Sequence, residues 1–225
     1  MRSTSSMVKL LVKHWAEPDE QVVYVFGAEE RAGYVVSTVG GSTRVPHEAE
    51  PSIPRAADQR RAGPEPIAAL RDGAFLGDEF VHDPGAWAWA LAGAPGETAI
   101  RFADDLTAWG SASFLAFTSH RVGVVVATDD LESAPPAESA SEGGFSLLGA
   151  ARSAVRGVFA GDGENPVTSG ADFALGQARE LVAVPRGRGG YPVWFLRVTF
   201  ADGSSLEVRA PRAQQRVDTI RQNLR

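Results

Sequence analysis

Fifteen consecutive residues at positions 113–127, SFLAFTSHRVGVVVA, hold the densest apolar run of the chain. Phe, Leu and β-branched Val suit a pleated surface buried on both sides. The crowding of Val around Gly123 disfavours one continuous helix. The run divides at Ser119-His120, a two-residue turn without the Gly or Asn that such a turn prefers. The register this implies sets Thr118 against Arg121, Phe117 against Val122 and Leu115 against Val124. Phe114 then faces Val125, and Ala116 faces Gly123. The expectation is an antiparallel hairpin covered on both faces, with the rest of the chain supplying the cover.

A second hairpin is equally plain. Residues 193–200 alternate, with Trp194, Leu196, Val198 and Phe200 on one face. Ala201-Asp202-Gly203 fits a three-residue loop with Gly in the left-handed position. That register pairs Phe200 with Ser204, Val198 with Leu206 and Leu196 with Val208, and assigns Arg197, Glu207 and Arg209 to the outward face. Ala210-Pro211 then opens a last helix, since proline is favoured in a first turn. Ala213, Val217, Ile220 and Leu224 form its buried stripe.

Elsewhere the pattern is coarser. Residues 8–15 fit a strand (Val8, Leu10, Val12) or a helical turn (Val8, Leu11, Val12, Trp15), and 21–26 and 33–39 read as strands, so 1–40 form a β-rich extension. Residues 41–66 carry five of the fourteen prolines and no aromatic residue. Too little apolar surface is present to offset ordering entropy, which makes a linker or long loop. Residues 67–94 form a connecting segment between it and the more regular pattern from 95 onward; Trp87 and Trp89, alternating with Ala, suit a strand or a helix. Residues 98–103 read as a strand followed by an acidic loop, DDLTAWG. Residues 128–170 form a flexible insertion. Its first part has five acidic residues and no base, while 145–160 has a helical stripe of Leu148, Ala151, Val155, Val158 and Phe159 edged by Arg152 and Arg156. Residues 174–184 supply one or two further strands.

Counted from Pro95, this gives about seven antiparallel strands and one C-terminal amphipathic helix. That order resembles the pleckstrin-homology-like family, in particular its bacterial GRAM-like members. The local match is LAFTSHRVGVV (115–125), similar to an L-x-L-T-x-x-R-L hairpin of those domains, with Pro95-Gly96-Glu97 and ADGSSLEV in support. The resemblance covers 95–225 apart from the insertion. It implies a mainly β fold, an antiparallel β-barrel closed by a C-terminal α-helix, and a non-catalytic binding module.

Composition narrows the function further. A net charge of −6 disfavours bulk electrostatic binding to nucleic acid. With no cysteine, disulfides, thiolate metal sites and cysteine chemistry are excluded. The N-terminal apolar run is too short for a signal peptide and no stretch is long enough to span a bilayer, so the expectation is a cytoplasmic protein. No G-x-S-x-G, H-E-x-x-H or P-loop occurs, and no cofactor is expected.

Family members that bind phosphoinositides place Lys and Arg near their first strand loop; here that loop, DDLTAWGS, has two Asp and no base. Two other features carry binding chemistry. Arg186 and Arg188, in VPRGRGGYP, place two guanidinium groups on a glycine-rich loop that could hold a phosphate, a carboxylate or a partner. The 145–160 stripe, with Leu148, Arg152, Val155, Arg156 and Phe159, suits a partner's groove or an anionic membrane surface. Glu79-x-x-His82, beside Asp78 and Asp83, has the spacing of a carboxylate metal pair but lacks further ligands; Asp162-Gly-Glu164 is too short for a calcium loop. The expected function is a non-catalytic module that binds a partner protein. The alternatives are a peripheral membrane binder using 145–160, and a small-ligand carrier or enzyme with a barrel-end pocket.

Overall fold

The computed structural model describes residues 3–27, 33–48, 79–132, 166–187 and 192–224. The insertion stripe at 145–160 and Arg188 lie outside them. The described residues are mainly β, with ten strands in two sheets. The strands are β1 (Val22–Phe26), β2 (Tyr34–Val39), β3 (Ser42–Arg44), β4 (Ala86–Ala92), β5 (Ser113–Thr118), β6 (Arg121–Ala127), β7 (Val167–Ala174), β8 (Glu180–Arg186), β9 (Val193–Thr199) and β10 (Ser205–Arg209). The helices are α1 (Thr4–His14), α2 (Thr98–Trp109), the short α3 (Thr128–Glu132) and α4 (Ala213–Asn223).

The hairpin at 113–127 forms β5 and β6 in the expected register, Phe117 against Val122 through Phe114 against Val125. Its turn dispenses with Gly or Asn because the Thr118 hydroxyl accepts the N–H groups of His120 (3.1 Å) and Arg121 (2.9 Å). β1 adds to one side of this hairpin and β7 to the other, giving a four-stranded antiparallel sheet in the order β1-β5-β6-β7. α1 lies on its outer face. The helical alternative therefore holds at 8–15, but the buried pair is Met7 and Leu11, packed with Val25, Phe114 and Val125. Val12, placed in the stripe by its spacing, is 61% exposed.

The second hairpin is also as expected, with Val198 against Leu206, Leu196 against Val208, and Gly203 at φ +93°. β9 and β10 sit in a six-stranded sheet ordered β3-β2-β4-β10-β9-β8. Only β2 and β4 run parallel in it. β4, which carries Trp87 and Trp89, is thus an interior strand rather than part of a connection. β1 belongs to the four-stranded sheet and β2 and β3 to the six-stranded one, so the strands N-terminal to residue 95 pair into the same sheets as those after it.

Residues 98–103 are not a strand, and 104–110 are not a loop: together they form α2. Ala99, Ala103 and Leu106 repeat at helical spacing and are buried with Ile100 and Phe102. The first amides of α2 are capped from the β9–β10 turn, Asp202 Oδ2 accepting from Thr98 N–H (2.7 Å) and Ser204 Oγ from Ala99 N–H (3.0 Å). Burial would raise the Asp202 carboxyl, but the donors of Ser204 and Thr98 outweigh it and hold it at about 2. Gly110, at φ +51°, ends the helix.

α2 and α4 lie between the two sheets, each packing on strands of both. One core joins Phe102 and Leu106 of α2, Val217 and Ile220 of α4, Leu115 and Val122 of one sheet, and Leu196, Val198 and Leu206 of the other. Among the described residues no closed barrel forms; the C-terminal helix is an inner layer, not the plug of a barrel end. No helix among the described residues is long and apolar enough to cross a membrane.

Candidate interaction surface

Two-residue periodicity sends Leu196, Val198, Leu206 and Val208 into the core and leaves Phe195, Arg197, Glu207 and Arg209 on the other face of the six-stranded sheet. That face is not simply solvated. Val36, Val81, Ala86, Trp89 and Phe195 form a small core on it. Glu207, assigned outward by its alternation, is completely buried. Two guanidinium groups neutralise it. Arg186 donates through Nε to Oε2 (2.9 Å) and through Nη2 to Oε1 (2.6 Å); Arg197 donates through Nε (2.8 Å) and Nη2 (2.5 Å) to Oε1.

Arg186 is therefore anchored and not the free anion receptor that its glycine-rich loop suggested. Its guanidinium also stacks on Trp89 at 4.7 Å, and the Trp89 indole donates to Thr38 Oγ1 (2.9 Å). Alongside, Arg209 donates to the carbonyls of Ala86 (2.9 Å), Val81 (2.6 Å) and Asp83 (2.5 Å), fixing the turn that precedes β4. Tyr34 donates to Asp83 Oδ2 (2.8 Å). Burial, and after it Asp83, push the Tyr34 hydroxyl above its ordinary range. His82, whose proposed metal partner Glu79 has no described side chain, is exposed, and its ring abuts Gly187.

Among the described residues β8 ends the six-stranded sheet, pairing only with β9. Its sequence, ELVAVPR, has no lysine, and Val182, Ala183 and Val184 are half-buried. Pro185 lies opposite Trp194, the one large aromatic side chain among the described residues that is prominently exposed, at 41%. An edge strand, an exposed indole and the Arg186–Glu207–Arg197 cluster thus share one margin of the sheet.

Two further polar clusters lie elsewhere. Glu20 is held by the hydroxyl of Thr118, by Arg121 Nε and Nη2 (both 3.1 Å) and by the N–H of Glu17 (3.0 Å). Burial would raise its carboxyl, and these donors outweigh burial and lower it. Arg121 also stacks on Trp15 at 4.3 Å. With Glu17, His120, Asp172 and Ala174 they line a cleft of about 230 Å³. His120 is the turn residue expected, and it borders this cleft.

The second cluster is His47, whose Nδ1 meets Ser37 Oγ (2.8 Å) and whose Nε2 meets Asp104 Oδ1 (2.8 Å). Ser, His and carboxylate recur in acyl-transfer sites. Here the Ser37 hydroxyl is fully buried, so no substrate carbonyl reaches it, and the arrangement clamps the turn after β3 onto α2. Burial lowers the His47 pKa against the opposing pull of Asp104. The folded state therefore binds fewer protons than the unfolded one, and this part of the stability is full above about pH 6.5. It is lost as pH falls toward the lowered folded value. Thermal melts should show the midpoint dropping between pH 7.5 and 5.5, by at most one proton's worth, about 1.4 kcal/mol per pH unit. His47→Gln should flatten that slope. Asp105, raised by burial, acts with the opposite sign and is common to both proteins, so their difference reports His47 alone. Equal slopes would remove His47 as the cause.

Of the residues singled out by sequence, Arg186 falls on the Glu207 cluster, Asp83 beside Tyr34 and Arg209, and His120 on the Glu20 cleft. Nothing local in the sequence marks Glu207, Trp194, His47, Asp104 or Glu20 as part of a site. A signal existed for one pair: the predicted register of Val198 with Leu206 already sets Arg197 opposite Glu207. No family model matches the chain, and no curated protein or solved structure matches it either.

Proposed function

We propose that the chain is a non-catalytic interaction module that takes an extended segment of a partner protein along β8. The observation that carries this reading is Trp194, exposed beside an edge strand of half-buried Val, Ala and Val. The edge of a sheet offers main-chain hydrogen bonds to an added strand, and tryptophan is enriched at the energetic centres of protein interfaces. Arg186 and Arg197, both held by Glu207, give that margin a rigid base. The pleckstrin-homology-like resemblance of 95–225 points the same way, although the two sheets remain separate and α4 lies between them.

Site-specific photocrosslinking tests the reading. A photoreactive residue at position 182 or 194 should crosslink one partner protein through the same short segment, and one at Gln222 on α4 should not. Trp194→Ala and Val182→Lys should each cut the yield at least fivefold, the second by placing a charge on the edge. Equal crosslinking from all three positions would overturn it.

A further inference from the structure

α4 buries Ala213, Val217 and Ile220, and Arg216 stands on its flank toward β1. The Arg216 guanidinium lies over the rings of Tyr24 (4.4 Å) and Phe26 (4.9 Å), which meet edge to face at 4.7 Å. This double stacking fixes the orientation of the guanidinium fork. Yet Nη1 of Arg216 is buried and, among the described residues, donates to nothing. The other arginines anchored in the fold are satisfied: Arg121, Arg186 and Arg197 by carboxylates, Arg209 by three carbonyls. A buried donor without an acceptor forfeits its hydration with nothing in return, and such an exception asks for an explanation.

The surroundings supply one. Arg216 shares a concavity of about 270 Å³ with Tyr24, Arg212, Gln215 and Thr219, and among the described residues no carboxylate lines it. Asp218, the acidic residue of α4, is engaged by Gln214 Nε2 at 2.9 Å. The Thr219 hydroxyl donates to the Gln215 carbonyl (2.9 Å), and the two guanidinium groups and the Gln215 amide border the space as donors, with the Tyr24 side chain beside them. In a chain of net charge −6, two arginines without a lining acid form a local reversal of sign. Two monocations and an amide match a tetrahedral dianion, which accepts several hydrogen bonds at once. The volume exceeds that of a bare phosphate and leaves room for the group that carries it.

We infer that this concavity between α4 and β1 binds the phosphate group of a small phosphate ester, with Arg216 and Arg212 as its charge partners. The test is a titration of the full chain at constant ionic strength, followed by the NMR signals of the Arg216 Nε–H and the Gln215 side-chain amide. Phenyl phosphate and inorganic phosphate are the probes; acetate and chloride are the controls. Phenyl phosphate should move both signals saturably, and inorganic phosphate more weakly. Equal affinity for the two would keep the site and identify free phosphate as its occupant. Arg212→Gln, at an exposed position outside the core, should weaken binding at least fivefold and abolish the rise in melting temperature that the probe gives the parent. Arg216→Lys, which keeps the aliphatic stem but loses the fork, should do the same. Matching shifts with chloride or acetate would mean an adventitious ion only and overturn the inference, as would unchanged binding in Arg212→Gln.

Discussion

Glu207→Leu destabilises the chain by about 3 kcal/mol. Removing one partner of a buried ion pair costs about 3–5 kcal/mol, because the remaining charge is left uncompensated. The lower end applies here, since Arg186 and Arg197 keep side-chain exposures of 24% and 25% and recover some hydration. With a urea m-value of about 2–3 kcal/mol/M for a chain of this size, the midpoint should fall by about 1–1.5 M. Converting all three residues to apolar ones should restore most of the loss, as replacing a whole buried ionic cluster often does. A single substitution costing under about 1 kcal/mol would show that the two arginines do not depend on this carboxylate. Glu207→Leu should also free Arg186 and Arg197 from their internal anion, and so give the β8 margin the anion affinity that its sequence suggests and its fold suppresses.

What the sequence made legible was short in range. Both hairpins could be read to the residue because the turn and the paired apolar positions lie within a few residues of each other. α2 does not show in the sequence, because TAIRFA fits alternation as well as helical spacing and its amides are capped by residues 104 and 105 positions later. The parallel pairing of β2 with β4 spans about fifty residues and leaves no mark in either strand. The same limit governed the site. Arg197 opposite Glu207 follows from a hairpin register, but Arg186 reaches Glu207 from a third strand. The Tyr24–Arg216 stack joins the first strand to the last helix. Nothing local in either segment announces the other.

Phe200→Ala should cost about 3–5 kcal/mol, the range for deleting a fully buried phenylalanine, which is a large share of the 5–15 kcal/mol that holds a typical domain together. Phe200 is fully buried where the layers meet: its ring stacks on Phe102 of α2 at 5.3 Å and meets Phe173 of β7 edge on at 4.9 Å. Its backbone closes the β9–β10 turn, donating to Ser204 (2.8 Å) and accepting from Gly203 (3.0 Å). The same turn presents Asp202 and Ser204 to α2. A cavity there therefore loosens a ring contact between helix and both sheets together with the cap of that helix. Amide exchange should accelerate in α2 as well as in β7, while exchange confined to the turn would show that α2 is held without it. Trp194→Ala provides the contrast. Its indole is 41% exposed, so its truncation should cost about 1–2 kcal/mol, less than half of the Phe200 loss. Loss of partner crosslinking in that variant would then report the surface and not the fold.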